Sequence, residues 1–495
     1  MVTPTEKPKT KRSELVASEE TRERIKKEFF LNNGQASAYM LMMGMTYRKD
    51  KEMFVLKGYA GTGKTYVINV LLKNLMEAEP YSMIAITAPT NKAVKVLYDN
   101  RRVTSDRIYY KTVHGLFGLS EVIDAKGNIT YKPTPNSKGS ALPNSVNYII
   151  VDEASMLSDE LFWLLDSIKK PVKIIFMGDP AQIPPVNASD SIPFRYGLSK
   201  RHEEGYTLTQ IMRQKDENPI VELTLKMRES LTEPFPIKNF QTKLNSKDEG
   251  IVLVKNVEDL LENFKLYFDS DEFRANADYA KVIAWTNLKV KIANDEIRKI
   301  LYGQNAPKIV VGEKLLANSP IESLMPTSRG GKSFYAIVFS TSDEMEVESY
   351  QIKSIKIGSE AGFKRKYLPV HYLKVYECKV AYMDEGILRY RTIRILHEDS
   401  QQEFEKNLDA IKQQILAKKP GVNWLDYYSY KRRFADVGYN YAITAHKSQG
   451  STYVNTFVIE DDINLNNRIV ERNRIKYTAY SRASKKLFIY KKEKP

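Results

Sequence analysis

Cysteine is almost absent: Cys378 is the one thiol in 495 residues. A single thiol excludes an intrachain disulfide framework and a cysteine-built zinc site. The simplest compartment for such a chain is the reducing cytoplasm. Long apolar runs are missing too, and none approaches the ~20 residues that a membrane helix needs. The opening stretch, Met1 to Arg12, is polar and basic and holds no apolar secretory core. Acidic charge falls short of basic charge, 61 Asp+Glu against 76 Lys+Arg, for a net charge of +15. That excess favours a polyanionic partner such as nucleic acid, gripped by contacts that salt weakens. A solvated basic surface is the plainer alternative.

What is present is ordinary for a folded chain: 42% hydrophobic and 28% charged residues. The length suits roughly three domains at about 150 residues each. The 31 tyrosines offer flat faces on which bases can stack, although most tyrosines simply pack. Residues 1–25 read as a flexible basic tail. A helix is expected from Ile25 to Met45, enclosing Leu31-Asn32-Asn33-Gly34-Gln35. Short apolar runs then alternate with helical segments: Met53–Leu56, Met83–Ala88, Tyr148–Val151 and Val172–Met177. Such alternation predicts a parallel sheet with helices on its faces. Later runs at Val282–Trp285, Thr456–Ile459 and Leu487–Tyr490 suggest a second α/β unit of the same type. Between them, over about 308–400, Ser333–Phe339, Glu346–Ile352, Leu373–Ala381 and Leu388–Ile395 read as an antiparallel β-rich insertion. Phe404, Leu408, Ile411 and Ile415, three or four apart, mark an amphipathic helix after it.

Gly58-Tyr59-Ala60-Gly61-Thr62-Gly63-Lys64-Thr65 fits G-x-x-x-x-G-K-[ST] in full. It follows an apolar run and precedes a helical pattern with Val67, Ile68, Leu71, Leu72 and Leu75, the context a phosphate loop requires. Glycines let backbone N–H groups wrap round phosphates, and the helix N-terminus adds partial positive charge. Lys64 is placed to reach the β and γ phosphates of ATP, and Thr65 to offer a hydroxyl to Mg²⁺. Asp152-Glu153, at the end of Tyr148–Val151, supplies the acidic pair of such a site. Asp152 would hold the Mg²⁺ shell and Glu153 would polarise the attacking water. The run Met177-Gly178-Asp179-Pro180-Ala181-Gln182 adds a neutral amide, Gln182, long enough to sense the γ phosphate.

In order along the chain, these segments resemble the motifs of a superfamily 1 helicase. Further segments fit the same series: Ala88-Pro89-Thr90-Asn91-Lys92-Ala93, Thr112-Val113-His114-Gly115, Leu208-Thr209-Gln210-Ile211-Met212-Arg213-Gln214, Ala284-Trp285-Thr286-Asn287, Thr444-Ala445-His446-Lys447-Ser448-Gln449-Gly450-Ser451-Thr452 and Tyr477-Thr478-Ala479-Tyr480-Ser481-Arg482-Ala483. Asn33-Gly34-Gln35 is similar to the adenine-reading Q motif. Compact length, the placement of the β insertion, and Trp424-Leu425-Asp426-Tyr427-Tyr428 before a basic stretch resemble the RecD-like, 5′-to-3′ branch and its phage members.

The resemblance implies two RecA-like P-loop NTPase domains, a β-hairpin insertion in the first and an SH3-like β-barrel in the second. The boundaries it suggests are 26–205 for the first core, with the hairpin insertion at about 116–146. The second core would combine 206–307 and 425–495, and 308–424 would be the barrel with its amphipathic helix. ATP would sit between the cores, with Gln35 at the adenine edge, Gly58, Gly61, Thr62, Gly63, Lys64, Thr65 and Gly450 around it, and Arg213 and Arg482 reaching the γ phosphate. Hydrolysis would release the closed cleft and let the cores separate. Pro89, Thr90, Asn91, His114, Asn287, Thr444, His446, Lys447 and Thr452 would grip single-stranded DNA, because short hydroxyl and amide groups suit sequence-blind phosphate contacts.

The segment Leu119–Thr134 reads as a hairpin and would be the pin that splits a duplex, or else a surface ribbon. Lys364-Arg365-Lys366 would touch DNA or remain solvated. The expected partners are single-stranded DNA and single-strand/double-strand junctions, with a single-strand-binding protein or replisome components beside them. A monomer in the cytoplasm is expected, the host's if the chain is phage-encoded, working in DNA replication, recombination or repair. Two alternatives stay open: an RNA or RNA/DNA helicase of the same superfamily, and a non-enzymatic single-strand-binding protein. The 2′-OH separates RNA from DNA. The intact Lys64, Asp152, Glu153, Gln182 and Arg482 weigh against a degenerate site.

Overall fold

The apolar run at Met53 lies in the strand Glu52–Gly58, and five parallel strands line up with it. The structure, a computed structural model, describes residues 19–49, 52–133, 145–185, 188–195, 203–212, 218–235, 241–325, 334–358, 370–384 and 387–492. Residues 1–18 of the expected tail, Arg213 and Lys364–Lys366 lie outside the described residues, and 19–25 are not a flexible tail but the start of the helix Glu19–Phe29. Two compact units emerge. Met1–Gly118, Thr134–Val254 and Ser448–Lys491 form the first; Leu119–Pro133, Lys255–Lys447 and Lys492–Pro495 form the second.

In the first unit the parallel sheet runs Ile108–Thr112, Ile84–Ala88, Tyr148–Val151, Lys173–Gly178, Glu52–Gly58, Glu203–Leu208. Ile84–Ala88, Tyr148–Val151 and Lys173–Gly178 are buried along their whole length, as a sheet covered on both faces requires. Met42 of the helix Asn33–Thr46 and Val67 and Leu71 of the helix Lys64–Ala78 join Leu56 and Ile175 in one core. The same unit holds Tyr453–Ile459, Ala483–Tyr490 and Gly250–Val254, paired parallel in that order, with Lys243–Leu244 antiparallel at the edge.

Two expectations change here. The single helix expected from Ile25 to Met45 is two helices, Glu19–Phe29 and Asn33–Thr46. Phe30 breaks it with a left-handed φ of 51°, and Asn32 restarts it as an N-cap with a full capping box to Gln35. The second difference is the sheet's sixth strand, Glu203–Leu208, which lies at an edge and carries no apolar run. Gly205 allows it to approach, since a Cβ there would meet the Val55 carbonyl at 3.0 Å.

In the second unit, Ala280–Ala284 pairs parallel with Ala442–Thr444. The β-rich region is a five-stranded antiparallel sheet in the order Ile387–Leu396, His371–Asp384, Glu344–Ile357, Lys314–Ala317, Val437–Tyr439. Two of its strands run 14 residues, well beyond the apolar stretches that announced them. Cys378 is wholly buried in its core, where burial pushes the thiol up to about 12. The helix Gln401–Leu416 lays Phe404 and Ile411 on Leu373, Val375 and Leu396, with Leu408 and Ile415 at the margin. Leu119–Ile123 and Ile129–Pro133 form an antiparallel hairpin in this unit.

Candidate nucleotide site

Tyr59 to Gly63 join the strand Glu52–Gly58 to the helix Lys64–Ala78. Gly61 and Gly63 take left-handed φ values of 80° and 78°. Gly58 is required by crowding: a Cβ would meet Thr62 Oγ1 at 2.7 Å and Leu208 Cβ at 3.2 Å. Gly63 occupies the N-cap position without a side-chain cap, so backbone N–H groups of the first turn face the loop. Lys64 Nζ donates to the carbonyls of Gly58 at 2.9 Å and Tyr59 at 3.0 Å. Burial pulls the Lys64 ammonium below its ordinary value, against the attraction of Asp179, Glu153 and Asp152. Thr65 follows it as a half-buried residue of the first helical turn.

Asp152 and Glu153 leave the strand Tyr148–Val151, two positions along the sheet from the loop strand. Asp152 accepts from the Glu153 N–H at 2.8 Å. Burial, then the charge of Glu153, pushes the Asp152 carboxyl up to about 7. Glu153 sits at a left-handed φ of 49°, a strained setting for a residue with a Cβ. Gly450, with φ at 74°, lies against it: a Cβ there would stand 3.7 Å from Glu153 Oε1.

Asp179 ends the neighbouring strand Lys173–Gly178 and is fully buried. It accepts from the Ala181 N–H at 3.0 Å, from the Tyr477 hydroxyl at 2.6 Å and from the Arg228 guanidinium. Gln182 follows in a loop pinned at Ile183, whose N–H donates to Thr478 Oγ1 and whose carbonyl accepts from Gln449 Nε2 at 2.9 Å. Among the described residues, Gln182 Oε1 and Ser155 Oγ are buried with no hydrogen-bond partner.

These features fit a magnesium–nucleoside triphosphate. The glycines leave a cradle that any Cβ would fill, and a half-buried lysine stands near three carboxylates. Two orphaned polar atoms add hydrogen-bonding capacity. Mg²⁺ commonly takes one or two carboxylates and fills its octahedron with phosphate and water, so Asp152 with the Thr65 hydroxyl is a sufficient protein contribution.

Gln35 is buried, and each end of its amide has a partner. Its Oε1 accepts from the Asn32 N–H at 3.1 Å and its Nε2 donates to the Thr62 carbonyl at 3.0 Å. Arg482 spends its guanidinium on the Thr478 carbonyl, the Ser451 carbonyl and Ser481 Oγ at 3.0–3.1 Å. Arg228, Asp179 and Tyr477 meet here although sequence reasoning gave none of them a role. Asp179 and Tyr477 lay inside recognised segments; Arg228 lay in none. The edge strand is a further support that the sequence did not reveal, because its continuation carries the Met212 N–H to the Gly61 carbonyl at 2.8 Å.

The residues expected at DNA divide between the units. Pro89, Thr90, Asn91, His114 and Thr452 belong to the first; Asn287, Thr444, His446 and Lys447 belong to the second. Thr90 caps the helix Asn91–Asp99, its Oγ1 accepting from the Ala93 N–H, and Asn91 is exposed beside it. His114 is half-buried in the short helix Val113–Leu116, and burial pulls its imidazole below the ordinary value. In the second unit Asn287 is exposed at the start of the helix Asn287–Tyr302. Thr444 Oγ1 accepts from the Lys447 N–H at 3.3 Å, and Lys447 Nζ reaches Asn318 Oδ1 at 3.3 Å. Burial lowers the Lys447 ammonium, and His446 is half-buried next to it.

A phosphate loop, an acidic pair on a parallel strand and a buried glutamine define a P-loop NTPase. Two family models match the chain: an AAA domain over residues 30–242 and a UvrD-like helicase C-terminal domain over residues 439–490. Uncharacterized protein R530 of Acanthamoeba polyphaga mimivirus is 26% identical, covering 88% of this chain and 94% of its own length. ATP-dependent DNA helicase dda of Enterobacteria phage T4 is 24% identical, over 86% of this chain and 92% of its own. RecBCD enzyme subunit RecD of Buchnera aphidicola is 23% identical, over 88% of this chain and 69% of its own. The chain belongs to the superfamily 1 helicases, among the Dda- and RecD-like members. A crystal structure of the Candida albicans Pif1 helicase is also similar, at 16% identity, 94% coverage of both chains and a TM-score of 0.45.

Proposed function

We propose that this helicase-family enzyme hydrolyses ATP to move 5′-to-3′ along single-stranded DNA and to part duplex at junctions. The observation that carries the proposal is the half-buried Lys64 inside its glycine cradle, within electrostatic reach of Asp179, Glu153 and Asp152. Lys64 and the first-turn N–H groups would bind the β and γ phosphates. Thr65 and Asp152 would hold Mg²⁺, which when bound neutralises phosphate charge. Glu153 would take a proton from the attacking water at its carboxylate, while Gln182 donates from its amide to the γ phosphate. Arg482 would have to exchange its backbone partners to reach that phosphate, and Arg213 remains its expected companion.

The DNA substrate is supported by the DNA helicases among the relatives and by the cationic surplus. The polarity rests on the RecD-like motif pattern. The hairpin Leu119–Pro133 is our candidate pin, supported by its exposed Val122, Ile129 and Tyr131, on which an unpaired base could stack. We read 308–424 as an SH3-like module on the strength of its antiparallel strands. A role in DNA replication, recombination or repair draws support from viral relatives that span most of this chain.

Lys64→Ala and Glu153→Gln test the chemistry. Both should abolish DNA-stimulated ATP turnover while single-strand binding persists within a few-fold. Turnover undiminished in Glu153→Gln would contradict the assigned base. RNA and DNA duplexes assayed in parallel would decide the substrate.

A further inference from the structure

Arg228 closes the helix Pro219–Glu229 and is mostly buried. Its guanidinium lies 4.0 Å from the centre of the Tyr59 ring, inside the phosphate loop, and donates to Asp179. Tyr477 of the helix Ile469–Tyr480 donates its hydroxyl to the other oxygen of Asp179 at 2.6 Å. The Tyr59 carbonyl in turn accepts from Lys64. Two helices far apart in sequence therefore meet on one buried carboxylate, and the first of them also reaches the phosphate loop that holds Lys64. Asp179 is the carboxylate that acts most strongly on Lys64, and Arg228 repels the same ammonium.

Resting on the nucleotide reading above, we propose that Arg228 is a phosphate-sensing arginine parked on Asp179, released to the γ phosphate when a triphosphate binds. A triphosphate brings about four negative charges next to Lys64. Those charges repel the Asp179 carboxylate and compete with it for the cation. A guanidinium bonds a phosphate as readily as a carboxylate, by the same forked geometry, so Arg228 keeps its bonding while Asp179 retains the Tyr477 hydroxyl and the Ala181 N–H. The Tyr59 face holds the planar group beside the loop while its partner changes. Arg482, by contrast, donates to the carbonyls of Thr478 and Ser451. Because Arg228 ends one helix and Tyr477 sits in another, the exchange reports γ-phosphate occupancy to both. Loss of the γ phosphate returns Arg228 to Asp179.

The test uses the full chain and compares Arg228→Ala, Arg228→Lys and Asp179→Asn with wild type. Binding of ADP and of a non-hydrolysable ATP analogue is measured for each, together with DNA-stimulated kcat. Arg228→Ala should lose kcat by about 10³-fold, the low end for an arginine finger. It should weaken the ATP analogue about 10-fold or more while leaving ADP within about twofold. Arg228→Lys keeps the charge but not the fork, and should recover only part of the analogue affinity. Asp179→Asn weakens the parking place and should tighten the analogue relative to ADP. An equal loss of both nucleotides, or no loss of either, makes Arg228 a structural brace and overturns the proposal. If Arg228→Ala does not fold, the analogue-to-ADP ratio in Arg228→Lys decides alone. Failure of wild type to hydrolyse ATP at all, with Lys64→Ala binding as well as wild type, sinks the nucleotide reading instead.

Discussion

Glu153, the proposed base, also carries backbone strain, with φ at 49°. Its left-handed backbone is of the kind that costs about 1–3 kcal/mol in a residue with a Cβ, and its charge adds to burial in raising its neighbour Asp152. Glu153→Gly should therefore stabilise the fold by about 1 kcal/mol while ending ATP turnover. Thermal unfolding and an ATPase assay on the same preparation check the pair; a less stable variant would remove strain from the account. Lys64, Asp152 and Glu153 were legible in the sequence because a phosphate loop and a strand-end acidic pair are contiguous patterns. Arg228 was not, because its meaning depends on positions 59, 179 and 477, which no spacing rule connects.

At the scale of elements, the hairpin's two paired strands are also docked on the helix Trp424–Lys431. Gly127, with φ at 85°, forms its turn and lies so near Trp424 that a Cβ would stand 2.6 Å from the indole. Tyr428 donates to the Gly127 carbonyl at 3.1 Å, and Arg432 pairs with Glu121. An isolated two-stranded hairpin is marginal in water, so this docking fixes its position. Trp424→Ala should speed amide exchange in 119–133 and cut duplex unwinding several-fold. Single-strand-stimulated ATPase should stay within about twofold, since the hairpin holds none of the residues proposed to bind nucleotide. Equal losses in both assays would deny the hairpin a separate role. The turn Asp124-Ala125-Lys126-Gly127-Asn128 announced the hairpin in sequence, whereas its helix partner 300 residues on was invisible. Strands buried on both sides were likewise legible as apolar runs. The edge strand Glu203–Leu208 was not, since an edge position imposes no such run.

For the whole molecule, the net charge of +15 makes strand binding a counter-ion exchange. Affinity for a single strand should fall at least about 10-fold between ~50 and ~200 mM salt, with a log–log slope that counts phosphate contacts. Fluorescence anisotropy across a salt series reads this directly; a flat line would locate binding in stacking alone. The motif order along the chain made the superfamily legible, but sheet order and burial arise from contacts that no linear pattern states.

The most direct measurement is strand displacement from duplexes that carry either a 5′ or a 3′ single-stranded tail, with and without ATP. Displacement of the 5′-tailed duplex alone, and only when ATP is present, is expected. Displacement of the 3′-tailed duplex instead, or of either one without nucleotide, would contradict the proposed function.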